Sequence, residues 1–295
     1  MKQPLVYEKR IVAFLDILGF SSMIEDSKAD TQLRRKLKDA TEIIYKSAHT
    51  DVKGRCVSTF SDSAVISYPL LGESTLFCLL IDIIHLQLKL GAIGILFRGG
   101  ISIGDCFHNG NIVFGPAMNE AYRLEHNVAK WPRVVITEDT LKYGMKATIE
   151  PNPFGVDYDF KEIMCLLKRD KYQDSIPELS DERDEGIMYF VDFLSQSQEL
   201  THCGDEYLSW LRDIRVVLVE GLNRYSPKSD IIEDNISKSD RYKVFKKYRW
   251  LLEYWNSVIE DNNTVFPVPD IGKENLDDFY NLYKKLKIKS RYPYR

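Results

Sequence analysis

An α+β fold is predicted by three observations. Short β-rich runs and amphipathic stretches follow in the order strand, helix, strand, strand, helix, strand up to about Ile136. Ser61-Asp62-Ser63 and Asn109-Gly110 join pairs of those runs as hairpin turns do. Beyond Ser195 the pattern becomes helical throughout.

With 295 residues the chain can form one large domain with an extension, or two modest ones, and 44% hydrophobic residues allow a sizeable core. A formal net charge of -4 gives no sign of general nucleic-acid binding. The five cysteines (Cys56, Cys78, Cys106, Cys165, Cys203) are scattered and lack Cys-x-x-Cys spacing, which argues against a disulfide framework or structural zinc. Met1 to Arg10 has no apolar signal core. Ile81 to Leu90 is apolar but carries Asp82, His85, Gln87 and Lys89, so it reads as a buried helix with no stable membrane association. These features lead us to expect a cytoplasmic protein.

Ile11 to Leu18 has the length and β-branched content of a buried central strand, interrupted by one carboxylate, Asp16. Gly19 allows a tight turn, and Ser21 or Ser22 is placed to cap the helix that follows to His49, with a break near Ser27 to Asp30. Arg55 to Phe60 and Ala64 to Tyr68 form a hairpin pattern. Leu71 to Leu90 is the second long helix, closed by Gly91 and Gly94. Ile95 to Ile103 is a strand, Gly104 to Gly110 a hairpin loop, and Asn111 to Phe114 the return strand. Gly115-Pro116 opens a helix running to Val128, because proline suits the first helical turn. Arg133 to Ile136 is a strand, and Thr137 caps a short helix to Tyr143.

Pro151 to Gly186 is charged and rich in turn residues, and Ile187 to Leu194 completes the sheet. Tyr207 to Leu222 is an amphipathic helix. Ser239 or Asp240 caps another to Ile259, with Tyr248, Leu251, Leu252 and Trp255 on its inner face. Asn275 to Ile288 is expected as a last basic helix. The order fits a ferredoxin-like βαββαβ core with helices on one face of an antiparallel sheet, over residues 1–195. Residues 196–295 form a helical extension packed on it. In that topology the first strand neighbours the pair around Asp62, so Asp16 and Asp62 are expected to face each other.

Two isolated acids at the edges of apolar strands, beside a helix start with free N–H groups, suit divalent ions around a triphosphate. The plainer alternatives are a strand-end Asp satisfied by backbone donors and an ordinary turn Asp. Asn119 and Arg123 lie four apart on one helix, where the planar fork of Arg123 can meet a phosphate. Its alternative is an intrahelical pair with Glu120. His85 reads as a core-helix histidine, His108 as a hairpin-loop residue and Asp105 as structural. Trp210, Trp250 and Trp255 read as core of the extension.

Phe14-Leu15-Asp16-Ile17-Leu18-Gly19-Phe20-Ser21, Ser61-Asp62, Arg98-Gly99-Gly100-Ile101-Ser102-Ile103-Gly104-Asp105 and Asn119-x-x-x-Arg123-Leu124-Glu125 together resemble the successive motifs of class III nucleotide cyclases. The resemblance runs from Ile11 to Ile136, with the last family strand at Ile187 to Leu194. It implies that Asp16, Asp62 and the carbonyl of Ile17 bind two Mg²⁺ or Mn²⁺ ions. It also implies that N–H groups of Gly19, Phe20, Ser21 and Ser22 hold the β and γ phosphates. Asn119 and Arg123 fall on the family's transition-state residues, which act on substrate held by the other subunit of a head-to-tail homodimer.

Ser58 and Ile112 stand where adenylate cyclases have a base-reading Lys and Asp, and where guanylate cyclases have Glu and Cys. With that departure the sequence looks most like the pyrimidine cyclases of Pycsar antiphage systems, which make cyclic UMP or cyclic CMP for a downstream effector. The resemblance therefore implies a UTP or CTP cyclase, with UTP preferred. Lys161, Lys168 and Arg169 are the candidates for the family's phosphate-binding Lys. The rival expectations are a purine cyclase, a nucleotide-binding sensor without turnover, and a palm-type enzyme that joins nucleotides between molecules.

Overall fold

In a computed structural model that describes residues 6–48, 54–70, 75–148, 162–170, 187–195, 204–226 and 237–260, β1 (Glu8–Ile17) is the strand around which the first unit is built. Ile11, Val12 and Ala13 are fully buried. β1 pairs antiparallel with β3 (Ser63–Pro69), Arg10 opposite Pro69 and Asp16 opposite Ser63. On its other side it pairs antiparallel with β4 (Phe97–Asn109), Glu8 opposite Cys106 and Ile17 opposite Phe97.

β2 (Cys56–Phe60) forms a hairpin with β3 through Ser61 and Asp62, and Ser61 takes φ 54°, a left-handed conformation uncommon for a residue with a side chain. β5 (Ile112–Phe114) returns along the far end of β4. β6 (Val134–Thr137) joins β4 in parallel, and β8 (Met188–Val191) lies between β6 and β7 (Leu167–Arg169). The sheet order is β2-β3-β1-β4-β6-β8-β7. Its first four strands have the order of the expected split βαβ core.

The helices are α1 (Phe20–Ser27), α2 (Thr31–Ala48), α3 (Thr75–Ala92), α4 (Pro116–Asn127) and α5 (Glu138–Thr148). The predicted break after Ser27 is present, and Asp30 caps α2 by accepting from the N–H groups of Gln32 (2.8 Å) and Leu33 (3.1 Å). Thr137 caps α5 as expected, accepting from the Thr140 N–H at 3.1 Å. α3 has the length and apolarity to cross a membrane, but Leu79, Leu80, Ile83, Ile84 and Leu88 are all completely buried, as in a core helix.

Strand alternation puts α2 and α3, the helices of the βαββαβ core, on one face as expected, and the later α4 on the other. Leu15, Ile17, Ala64 and Phe97 point towards Ile44 of α2 and Leu86 and Leu90 of α3. Val12, Phe14 and Val65 point the other way, into a cluster with Ala117 and Ala121 of α4. Gly100 permits that second layer. A Cβ there would lie 2.4 Å from Ala121 O and 2.5 Å from Leu124 Cβ.

The chain divides into two compact units, one of residues 1–90 and 95–193 and another of 91–94 and 194–295. In the second, α6 (Gly204–Tyr225) and α7 (Lys238–Glu260) bury Leu211, Ile214 and Leu218 on one side and Trp250, Leu251 and Trp255 on the other. Their Tyr225 and Tyr248 rings stack with centroids 5.8 Å apart. α7 is capped by Ser237, which accepts from the Asp240 N–H at 3.1 Å, so the expected caps Ser239 and Asp240 lie inside its first turn. The expected last helix, Asn275 to Ile288, lies outside the described residues.

Gly100→Ala should force α4 off the sheet, because the clash is with helix backbone as well as with a side chain. We expect a loss of about 1–3 kcal/mol, read as a lower urea midpoint at unchanged slope.

Candidate active site at the end of the first strand

The end of β1 and the β2–β3 turn are tied backbone to backbone. The N–H of Ile17 donates to the carbonyl of Asp62 at 3.0 Å, and the Ser63 hydroxyl donates to Asp16 Oδ1 at 3.2 Å. Asp16, Ile17 and Asp62 consequently lie together at this end of the sheet. Both acids are half-buried, with Asp16 23% exposed at its side chain.

α1 starts directly beyond. The Leu18 N–H donates to Leu96 O at 2.9 Å, Gly19 takes φ 76° as N-cap, and no side chain caps the helix. The first intrahelical bond runs from the Met23 N–H to Gly19 O at 3.0 Å. Phe20, Ser21 and Ser22 therefore present first-turn N–H groups, the arrangement that favours anions. The expected capping role of Ser21 or Ser22 is corrected, since both lie inside the first turn and are exposed.

Sequence reasoning gave no role to two residues beside Asp16. Arg98 is its cross-strand partner on β4, with a guanidinium nitrogen 3.9 Å from Asp16 Oδ2 and Nε 2.6 Å from Glu125 Oε1. Burial raises the Glu125 carboxyl to about 7, against the opposing pull of Arg98. Gly100 was the available signal, because a residue without Cβ on a sheet marks a close approach, here of α4.

Asn119 and Arg123 are not brought to this cleft within the chain. The side of α4 that packs on the sheet carries Ala117, Ala121 and Leu124, while Asn119 is exposed and Arg123 half-buried. The guanidinium of Arg123 grips Glu120 with two bonds of 2.8 Å, the intrahelical pairing that the sequence offered as its alternative.

Ser58 and Ile112 are placed very differently. Ile112 is 62% exposed on β5, whereas Ser58 is 1% exposed on β2. The Ser58 hydroxyl donates to Gly110 O at 2.7 Å, so the 2.8 Å contact with His108 Nε2 must have the imidazole as donor. His108 Nδ1 then accepts from the Ser67 hydroxyl at 2.8 Å, and Ser67 Oγ accepts from Arg10 Nε at 2.8 Å. The expectation of a solvated loop for His108 is therefore overturned. β4 continues through it, and its ring is buried in a one-directional relay from Arg10 to Gly110.

Asp105 is also within β4, paired to Lys9 at 3.0 Å. Lys168 pairs with Asp192 at 3.8 Å, Arg169 sits exposed on β7, and Lys161 lies outside the described residues.

Two carboxylates and a backbone carbonyl are hard oxygen donors of the kind Mg²⁺ and Mn²⁺ prefer. Among the described residues no group of three or more His, Cys, Asp or Glu could hold a metal. Two carboxylates and one carbonyl fit a cation that takes its other ligands from phosphates and water.

An α+β chain with paired acids beside an open helix start is the class that fold and site define. No protein-family model and no curated protein matches the sequence. Among solved structures it is similar to the adenylyl cyclase CyaB from P. aeruginosa, at TM-score 0.43 and 18% identity, over 63% of this chain and 94% of that one. It is also similar to a bacterial light-regulated adenylyl cyclase, at TM-score 0.41 and 15% identity, over 72% of this chain and all of that one. A second structure of a bacterial light-regulated adenylyl cyclase matches at 0.41 and 13%, with the same share of this chain and 56% of that one.

Burial and the charge of Arg10 lower the His108 imidazole from 6.5 to about 4. The unfolded chain takes up this proton before the folded one does, so stability present above the unfolded value is lost as pH falls towards the folded one. Relative to His108→Gln, the wild type should lose up to roughly 3 kcal/mol across that window in urea unfolding. Parallel pH curves for the two proteins would show that the fold does not hold the ring neutral.

Proposed function

We propose that this chain is a pyrimidine nucleotide cyclase that converts UTP or CTP, with UTP preferred, into the 3′,5′-cyclic monophosphate and pyrophosphate. The observation that carries the reading is the joining of Asp16, Ile17 and Asp62 at the end of β1, beside the open N-terminus of α1. The motifs that resemble class III cyclases supply the reaction type.

Asp16, Asp62 and the Ile17 carbonyl would hold Mg²⁺ or Mn²⁺, and the first-turn N–H groups from Phe20 to Ser22 would receive the β and γ phosphates. Bound divalent ions would supply charge neutralisation on the triphosphate and a lowered pKa for the ribose 3′-hydroxyl. The 3′ oxygen forms a bond to the α-phosphorus, the bond to the bridging oxygen breaks, pyrophosphate leaves and the hydroxyl proton passes to solvent. Arg123 exchanges Glu120 for the developing phosphoryl charge, and Asn119 orients the ribose.

Both residues lie away from their own cleft, which supports the reading that they serve the site of a second copy in a homodimer. Ser58, with its hydroxyl held by His108 and Gly110, offers a closed neutral wall, and Ile112 an aliphatic one. Neither supplies the charged groups that read a purine edge. The Pycsar resemblance supports the product as a second messenger in antiphage defence, read by a separate cyclic-nucleotide effector.

The test is incubation with Mn²⁺ and each of the four NTPs, followed by separation of products. Cyclic UMP or cyclic CMP is expected, and Asp16→Ala should reduce it about a hundredfold or more. Cyclisation of ATP or GTP alone would overturn the base assignment. Tight NTP binding without turnover would make the protein a sensor, and a linear or dinucleotide product would make it a palm-type enzyme.

Shared sites make a second prediction. Verified heterodimers of Asp16→Ala and Arg123→Ala subunits should regain part of the activity, since one of their two sites is intact. Absence of rescue in such heterodimers would count against sites built from two copies.

A further inference from the structure

The face of β1 that carries Asp16 also carries Phe14, because residues two apart on a strand project to the same side. Gly100 stands opposite Phe14 on β4, and α4 lies directly on it, with Ala121 O 2.4 Å from where a Cβ would be. The next residue of the helix, Tyr122, is thereby brought over β1. Its ring meets Phe14 at right angles, with centroids 5.3 Å apart, and stacks on the His126 ring at 5.7 Å and 19°.

Phe14 is buried, yet Tyr122 stays 49% exposed, and His126 is exposed beside it. Two ring contacts already order the Tyr122 side chain, so a ligand that covers it has little freedom left to remove. Phe14 and Asp16 are about 7 Å apart along the strand. A nucleotide whose phosphates meet the first turn of α1 can span that distance back along β1. On the β4 side the way is closed by Arg98 and Glu125, which are joined at 2.6 Å. The other exposed ring on this face, Phe60 at 43%, belongs to β2, two strands from β1.

We infer that Tyr122 is a substrate-binding residue whose ring stacks against the nucleobase. Every base has a π-face, so this contact gives affinity and orientation and leaves the choice of base to other groups. The inference rests on the nucleotide-binding part of the proposed function and uses Asp16 as a landmark only.

The experiment is calorimetric titration of the full chain, with Mn²⁺ present, by two probes. One is α,β-methylene-UTP, which cannot release pyrophosphate, and the other is inorganic triphosphate, which has no base. Tyr122→Ala should weaken the nucleotide about tenfold and leave triphosphate within about threefold of wild type. Tyr122→Phe keeps the ring and should bind both probes within about threefold of wild type.

Unchanged nucleotide affinity in Tyr122→Ala overturns the inference. So does an equal loss of both probes, which would mark a packing role. A loss in Phe60→Ala without one in Tyr122→Ala would put the base on β2 and overturn it as well. If Tyr122→Ala does not fold, Tyr122→Leu, which keeps an apolar contact with Phe14 but has no π-face, carries the same expectations. Wild-type protein that binds neither probe overturns the inference together with the nucleotide-binding part of the proposed function. Nucleotide binding by wild type and Tyr122→Ala alike overturns the inference only.

Discussion

The whole first unit depends on β1 being hydrogen-bonded along both edges. Its pairing with β3 and β4 runs through nearly its full length, so its register cannot shift by one residue without turning Val12 and Phe14 out of the cluster under α4. That fixed register carries Asp16 to one place, opposite Ser63 on one side and Arg98 on the other. The bond from the Ile17 N–H to Asp62 O then pins the neighbouring turn, and with it the second acid. Precision at the cleft is inherited from strand pairing, which suits a site that must hold charged groups within a narrow geometry.

The same face of the sheet carries two polar systems that the surrounding core isolates. At one end, Asp16, Arg98 and Glu125 share charge among two acids and one cation. At the other, Arg10, Ser67, His108 and Ser58 pass hydrogen bonds in one direction to Gly110. Between them lie Val12, Phe14, Ala117 and Ala121. Burial drives the two systems oppositely, pushing the Glu125 carboxyl up and the His108 imidazole down, because in both it penalises the charged form. The relay also fixes the β4–β5 hairpin to β2, and this hairpin leads directly into α4, where Asn119 and Arg123 stand.

Much of this arrangement was legible in the residues. The run Ile11 to Leu18, the Ser61-Asp62 turn, Asn109-Gly110 and Pro116 marked their elements correctly, because each rests on local chemistry: apolar periodicity, turn geometry or a proline ring. The adjacency of Asp16 and Asp62 followed from element order alone. His108 was misplaced because Gly104 and the later Asn-Gly suggested a long loop. The pairing of β4 with β1 as far as Glu8, and with β5 beyond it, outweighed that local preference. The Ser237 cap was missed because two equally suitable cap residues follow it.

The sequence by itself determined the α+β class, the strand order around β1 and the pair of acids at its end, since periodicity and turn residues are local properties. Tertiary structure alone decided which charges meet. Glu125 lies far from Arg98 along the chain, and they are joined because Gly100 lets a helix lie directly on the sheet. It likewise decided that Ser58 is closed off by His108. Such partnerships depend on burial and on approach between elements, and no spacing within a single segment encodes them.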